Sequence, residues 1–279
     1  MLHSYPFRKL LNRAVTVLML LAVVLALIPL FSILWHTFER GWPAISPTFF
    51  THLPKPVGET GGGIANALAG TGLLILLASS IGVPFGLLVG IYLAEFNPGG
   101  LGTVVRFLND VLTGIPSIVT GMFVYSLLVL TMGGFSALAG GVALGLIMIP
   151  TVTRSTEEML KMVPTSLREA SLALGATKTQ TILRVVLPAA IPGILTGIML
   201  AVARVAGETA PLLFTAFGNR FWSLRLDQPI AALPLQIFTY AISPYRDWQT
   251  QAWGAALVLV TLVLVLNIVA RLVFHRDGR

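Results

Sequence analysis

Six long apolar runs decide what this chain can fold into. A helix that crosses the hydrocarbon core of a bilayer needs about 20 predominantly apolar residues. The runs that qualify are 14–36, 64–93, 107–131, 134–152, 189–216 and 252–271. The stretch 111–153 contains no charge and is too long for one helix, so Gly133-Gly134 is expected to divide it by a tight turn. The sequence therefore predicts an all-α membrane protein with six transmembrane helices.

The first run is expected to stay in the protein as a helix. Residues 15–35 exceed the ~7–15 residues of a signal-peptide core, and no A-x-A cleavage site follows them. The whole chain is 56% hydrophobic and only 10% charged, which is far below the charge of soluble domains. It contains no cysteine, and this excludes disulfides, thiolate metal sites and a cysteine nucleophile.

The distribution of lysine and arginine predicts the orientation of the spans. The two termini and the 94–106 and 153–188 loops contain 12 basic residues, whereas the 37–63 and 217–251 loops contain 5. Cytoplasmic loops contain the excess of basic residues, so both termini and the 153–188 loop are expected in the cytoplasm. The same bias accounts for nearly all of the net charge of +7, so the basic composition does not indicate a nucleic-acid partner.

The 153–188 loop is predicted to begin with a short capped helix. Ser166 and Glu169 have the spacing of a capping box, in which each side chain satisfies a backbone N–H at the helix start. Gly175 is placed to end this helix, because a glycine adopts the left-handed conformation that closes many helices.

A second short helix is expected after the glycine. Thr177 and Gln180 form another capping-box pattern, and Pro188 is expected to end the helix before the fifth span. Two rigid helices joined by a tight turn favour docking onto a partner. An amphipathic linker on the lipid surface is the alternative. A DNA-binding helix pair is disfavoured, because there is little room for a third helix between two spans.

Arg204 and Glu208 are the two charges in the interior of the predicted spans, since Asp110 and Arg271 stand at span ends. They lie four residues apart in the fifth run, so one helix would bring them to one face. Charges at membrane depth cost ~2.5–3.5 kcal/mol each and are retained for a pathway or a mutual pair. A guanidinium matches phosphate or carboxylate oxygens with its planar fork. The residues themselves leave a substrate contact and a permanent structural ion pair equally open.

Small residues recur along several spans. Ala78, Gly82, Gly86 and Gly90 follow one another every four residues and therefore lie on one helix face. Such a face lets two helix backbones approach closely. The partner helix is expected either in a second membrane subunit or within this chain.

The loop resembles the EAA loop of ABC-importer permeases. The resemblance rests on the string Glu169-Ala170-Ser171, Gly175 four residues later, and Leu187-Pro188 twelve residues after the glycine. In that family the loop is the contact through which an ATPase subunit drives transport. The resemblance implies that the ATPase-coupling residues are Arg168, Glu169, Ala170, Ser171, Leu174 and Gly175.

Further segments resemble the phosphate-specific members of the ABC-importer permeases, and among these the PstA type. The matching segments are 61–71, 110–119, 203–212 and 228–238. The resemblance implies a type I (MetI-like) permease fold in the bacterial inner membrane, with residues 1–60 preceding a permease domain at 61–274 and a cytoplasmic tail at 275–279. It also implies that Arg204 and Glu208 line the phosphate pathway.

The same resemblance implies the partners. They are a homologous second permease of the PstC type, a dimer of ATP-binding subunits of the PstB type, and an extracytoplasmic phosphate-binding protein. The chain has no Walker A motif, so ATP and magnesium are expected on the ATPase subunits and no cofactor or metal on this non-catalytic chain.

Other functions are disfavoured to different degrees. An importer for sulfate, molybdate or an amino acid is the alternative within the same class. An intramembrane enzyme would need a constellation of Ser/Lys, paired Asp or clustered His at membrane depth, and the spans contain none. A passive channel would not need a capped cytoplasmic helix pair.

Overall fold

The described residues fold into helices. A computed structural model of the chain describes residues 5–59, 61–96 and 99–274, so the predicted tail at 275–279 lies outside the described residues. Among them the one isolated β-bridge joins Phe217 to Ile230. The first helices in chain order are α1 (Tyr5–Gly41), α2 (Pro47–Thr51), α3 (Ala65–Glu95), α4 (Gly100–Gly114), α5 (Ser117–Val124), α6 (Leu130–Met132) and α7 (Ala137–Met162).

The second half of the chain contains the predicted loop helices and two further spans. These helices are α8 (Thr165–Ala173), α9 (Lys178–Thr181), α10 (Leu187–Ala206), α11 (Ala210–Thr215), α12 (Leu233–Ala241) and α13 (Arg246–Phe274). A short 3-10 turn, Trp42–Ala44, follows α1, and π-helical turns at Tyr125–Val129 and Ile182–Val186 join α5 to α6 and α9 to α10.

Among the described residues five helical segments are long and apolar enough to cross a bilayer, and a sixth is bent. The bent one is α4 followed by residues 117–132, whose axes meet at 99°. The predicted third span, 107–131, therefore corresponds to a bent pair of helices that begins earlier, at Gly100. Pro116 explains the break, because its ring forces the preceding residue out of the helical region, and Ile115 has φ −70° and ψ 128°. The all-α class with six membrane segments is confirmed.

The second loop helix continues into the fifth span without a stop. α9, the π-helical turn and α10 form one segment from Lys178 to Ala206. The prediction that Pro188 ends the second helix is wrong. In the π-helical turn the N–H of Leu187 bonds to the carbonyl of Ile182, five residues back. The proline then stands in the first turn of α10, where its missing N–H is not needed.

The small-residue face of α3 packs against α7 of the same chain. A Cβ at Gly82 would stand 2.7 Å from that of Met148, and one at Gly86 would stand 2.6 Å from that of Val152. For this face, the partner helix therefore lies within the same chain and not in a second subunit. The turn predicted at Gly133 is also confirmed, since Gly133 has φ +75° and separates α6 from α7.

α7 packs against α10 as well. Gly193 lies against Met159 and Gly197 against Ser155, so the two helices run antiparallel. A buried apolar cluster fills the space between α3, α7, α10 and α11; its larger members are Leu74, Leu144, Met148, Val152, Val205 and Leu212. α7 is therefore the central helix that holds the rest of the bundle in place.

Candidate functional site

Arg204 lies near the middle of the bundle's depth. Gly197 of α10 lies against Ser155 of α7, and the antiparallel register brings Arg204 to the level of Met148. Met148 in turn lies against Gly82, which is the eighteenth of the 31 residues of α3. Arg204 therefore lies at about the middle of the length of α3 and α7.

The two predicted pathway charges do not lie on one helix. The fifth span ends at Ala206, and α11 begins at Ala210 with Pro211 as its second residue, so Glu208 occupies a non-helical link. Proline lacks the N–H that a continuous helix would need at that position. Arg204 Nε and Glu208 Oε1 are 4.0 Å apart, beyond hydrogen-bond distance.

The guanidinium is only loosely held. The side chain of Arg204 is 46% exposed and that of Glu208 is 19% exposed. Within the described residues the Arg204 side chain donates no hydrogen bond. A permanent structural pair would be expected to be closer and better aligned. The N–H donors of the Arg204 guanidinium are therefore available to an anion.

A cavity of about 310 Å³ opens beside Arg204 at the bend between α4 and α5. Its wall is mostly apolar and includes Ile147 of α7, with the hydroxyl groups of Thr113, Ser117 and Thr120 interspersed. A largely apolar cleft with a few polar groups and one charge has the usual make-up of a small-ligand site.

The protein surface around this cavity is exposed and apolar. α4 and α5 present Phe107, Val111, Ile118 and Phe123, which are between 42% and 64% exposed. A half-exposed guanidinium at this depth would cost ~2.5–3.5 kcal/mol if it faced lipid. We infer that the α4–α5 face contacts protein or a water-filled path.

The backbone of the 153–188 loop is largely as predicted. Gly175 has φ +85°, the left-handed conformation. The second capping box forms, with Gln180 N to Thr177 Oγ1 at 3.3 Å and Thr177 N to Gln180 Oε1 at 2.9 Å. The first capping box, at Ser166, is wrong. Pro164, two residues before Ser166, is the N-cap of α8. Its side chain makes no cap bond, because the proline ring has no polar atom.

Four of the six predicted coupling residues are exposed on the loop. They are Glu169, Ala170, Leu174 and Gly175. Leu174 is 90% exposed. An exposed apolar side chain next to a tight turn is well suited to insertion into a cleft of a partner.

The other two predicted coupling residues face the protein itself. Ser171 Oγ lies 2.9 Å from Thr181 Oγ1, and this contact joins α8 to α9. Arg168 turns away from the loop surface and forms an ion pair with Glu95 at the end of α3, with Nη2 and Oε1 2.7 Å apart. The residues of the motif therefore divide into an outward set and an inward pair.

The sequence analysis missed a charged cluster on the half of α7 next to the 153–188 loop. Arg106 Nε lies 2.7 Å from Glu157 Oε1, and Lys161 pairs with the same carboxylate. Arg106 also donates to the carbonyl of Leu93 at 3.0 Å, so the cluster joins α4 to α3 and α7. These residues had been assigned to loops, whereas α7 continues as a helix to Met162.

A second cluster lies beside the first. Arg154 bridges Asp110 at 3.2 Å and Glu158 at 3.0 Å. The spacing of the charges 154, 157, 158 and 161 was a detectable signal, because it places them on adjoining faces of one helix. The two clusters fasten α4 to α7 between the Arg204 cavity and the 153–188 loop.

Comparison with known sequences gives consistent results. The model of a family described as "Binding-protein-dependent transport system inner membrane component" matches residues 82–276. The phosphate transport system permease protein PstA of Yersinia pestis is 49% identical over 271 residues, covering 97% of this chain and 92% of the relative. The protein of the same name from Haemophilus influenzae is 45% identical, covering 97% and 96%. A probable one from Methanocaldococcus jannaschii is 41% identical, covering 91% and 90%.

Solved structures match the fold at low sequence identity. A chain of the inward-facing MetNI methionine ABC transporter aligns with a TM-score of 0.63 at 24% identity, covering 78% of this chain and 95% of that one. A chain of a bacterial alginate ABC transporter in complex with an alginate pentasaccharide-bound periplasmic protein aligns with a TM-score of 0.70 at 14% identity, covering 98% of both. The predicted MetI-like permease fold is confirmed.

Proposed function

The chain belongs to the family of binding-protein-dependent transport system inner membrane components, and from that premise we propose that it is a permease subunit through which inorganic phosphate crosses the inner membrane. The relatives named as phosphate transport permeases, which match nearly the whole chain, support phosphate as the cargo. The subunit is multi-pass, and it contributes a path and not a catalytic centre.

The observation that supports this best is the state of Arg204. Its guanidinium is half exposed at mid-depth, borders a cavity, and has only a loose contact with Glu208. A planar fork with free donors matches the oxygens of a tetrahedral oxyanion. In the absence of an anion Glu208 limits the cost of the unpaired charge. On arrival of phosphate the guanidinium exchanges the carboxylate for the substrate.

A homologous second permease, of the PstC type, is proposed to cover the α4–α5 face. That face combines large exposed apolar side chains with Arg204, and neither lipid nor bulk water suits both. A protein surface that leaves a narrow aqueous path at the cavity satisfies both requirements. Phosphate would then pass between the two permeases, with this chain supplying one wall.

The energy is proposed to come from a dimer of PstB-type ATPase subunits, which bind ATP and magnesium. Exposed Leu174 and the turn at Gly175 suit docking into a cleft of such a subunit. This assignment requires the loop, and with it both termini, to lie in the cytoplasm, in agreement with the distribution of basic residues. Closure of the ATPases would move the loop, and the spans would open outward to receive phosphate from an extracytoplasmic binding protein.

Transport by the reconstituted complex tests this function. Proteoliposomes that contain both permeases and the ATPase dimer, with the binding protein on the outer side, should take up radiolabelled phosphate only when ATP is inside. Sulfate and molybdate should compete poorly. A complex whose ATPase lacks the Walker A lysine is the control and should not transport. Equal uptake of sulfate, or uptake without hydrolysis, would contradict the proposal.

A further inference from the structure

We propose that Arg168 is a positioning residue that fastens the coupling loop to the cytoplasmic end of α3 and so transmits movement of the loop to the spans, and that it is not part of the surface docked on the ATPase. The proposal rests on the proposed function of the loop. It assigns separate roles to two neighbouring residues of the motif, with Arg168 facing inward and Glu169 facing outward.

Three acceptors from two spans surround the Arg168 guanidinium. Nη2 donates to Glu95 Oε1 and to the carbonyl of Leu160, each at 2.7 Å, and Nη1 donates to the carbonyl of Val163. Leu160 lies in the last turn of α7, and its carbonyl also accepts from the N–H of Val163, which directly follows that helix. The fork therefore binds two carbonyl groups at a helix end, where intrahelical donors are lacking. One side chain of α8 is thereby joined to both α3 and α7.

Glu95 depends on this contact. Its side chain is only 6% exposed, and that of Arg168 is 21% exposed. Glu95 is the last residue of α3, where the helix dipole disfavours a negative charge. A buried carboxylate without a partner is costly, so the pair is expected to stay closed while the loop moves. This sets it apart from exposed ion pairs, which contribute little.

A second contact joins the other loop helix to the same place. The ammonium of Lys178, at the start of α9, lies 4.8 Å from the centre of the Phe96 ring, next to Glu95 in the chain. Together with the hydroxyl contact between Ser171 and Thr181, this makes the loop one unit held at the end of α3.

A movement of the loop that displaces the end of α3 would also displace α7. α3 and α7 pack closely where Gly82, Gly86 and Gly90 leave no room for a side chain, so the two helices must move together. α7 supplies Ile147 to the wall of the Arg204 cavity. The contacts therefore form an unbroken sequence from the loop through Arg168, α3 and α7 to the cavity.

The test compares assembly with coupling in the complete complex. Arg168→Ala should retain the ATPase subunits at near the wild-type amount. It should lower the phosphate transported per ATP hydrolysed by about five- to a hundredfold, the usual range of coupling between sites. Arg168→Lys should fall in between, because an ammonium lacks the planar fork. Arg184→Ala removes an exposed arginine of the same loop and should leave the ratio unchanged.

A covalent cross-link between positions 95 and 168 should restore the coupling that is lost with the ion pair. The chain has no cysteine, so the double variant Glu95→Cys with Arg168→Cys has two unique thiols. When the other subunits have no accessible cysteine, a short thiol-reactive bifunctional reagent should restore the transport-to-hydrolysis ratio. Reduction of a cleavable version should abolish it again, while the amount of assembled complex stays constant. A role confined to folding would change the assembled amount and not the ratio.

Each outcome bears on the proposal. Loss of the ATPase subunits from an otherwise folded Arg168→Ala complex would overturn it, because Arg168 would then belong to the docking surface. A normal ratio in Arg168→Ala, or no rescue by the cross-link, would overturn it as well. If instead the wild-type complex hydrolyses ATP without moving phosphate, the proposed cargo fails. In that case the inference is tested by comparing ATP hydrolysis stimulated by the binding protein in Arg168→Ala and in the wild type.

Discussion

Replacement of Gly86 by alanine should force α3 and α7 apart. The added Cβ would lie 2.6 Å from Val152 Cβ and 2.7 Å from Val152 Cγ1. Carbon atoms in contact are separated by about 3.5–4.0 Å, so the helices must part by about 1 Å at this level. Overpacking of this kind costs ~1–3 kcal/mol.

Gly72 provides the matched control on the same helix. A Cβ there would have nothing within 4 Å, and alanine in place of glycine stabilises a helix interior by about 0.5–1 kcal/mol. Both positions lie in the interior of α3, so the helix gain is common to the two variants. They should therefore differ by the overpacking cost, roughly 1–3 kcal/mol in the free energy of unfolding. In a domain of this size that difference corresponds to roughly 2–12 °C in Tm.

Thermal unfolding of the purified complex in detergent measures this difference. The double change Gly86→Ala with Val152→Ala removes the contact with Val152 Cγ1 and keeps the 2.6 Å contact with the Cβ of residue 152, so it should recover only part of the loss. Equal Tm values for Gly86→Ala and Gly72→Ala would refute the α3–α7 contact, and with it the route by which loop movement reaches the Arg204 cavity.

Three further predictions concern the loop, the topology and the pathway. Gly175→Val should lower phosphate uptake per ATP hydrolysed in the assembled complex, because a β-branched residue is strained at φ +85°; wild-type values would count against a fixed turn. A reporter fused after Arg279 should behave as internal and one inserted near Thr60 as external, and the reverse pattern would overturn the orientation. Arg204→Lys should impair uptake less than Arg204→Ala at equal amounts of complex, since lysine keeps the charge and loses the fork; equal uptake in both variants and wild type would exclude a role.

The parts of the fold that the sequence could predict depend on local signals. A long apolar run specifies a spanning helix by its length, Gly133 specifies a turn, and Gly175 specifies a left-handed closure. The small residues on α3 indicate close packing as well. They do not indicate the partner, because Met148 and Val152 become neighbours only when the chain folds back on itself.

The errors have one physical origin, which is that a pattern along the chain does not specify direction in space. Pro116 breaks its run at a right angle, whereas Pro188 is accommodated beside a π-helical turn, although both are prolines near a span. Arg168 matches the motif whether it points outward or inward. Its partner Glu95 is 73 residues away in the chain, so only the three-dimensional structure distinguishes the two cases.

The most direct test of the central claim removes Arg204 and Glu208 together. Arg204→Ala alone would leave Glu208 without a counter-charge, and such a carboxyl tends to take up a proton. The double change Arg204→Ala with Glu208→Ala avoids that complication, because removal of both members of a pair is often tolerated. Phosphate uptake by the double variant, divided by the amount of assembled complex, is the decisive measurement. If Arg204 meets phosphate in transit, the complex assembles normally and fails to transport; uptake close to that of the wild type would contradict the account.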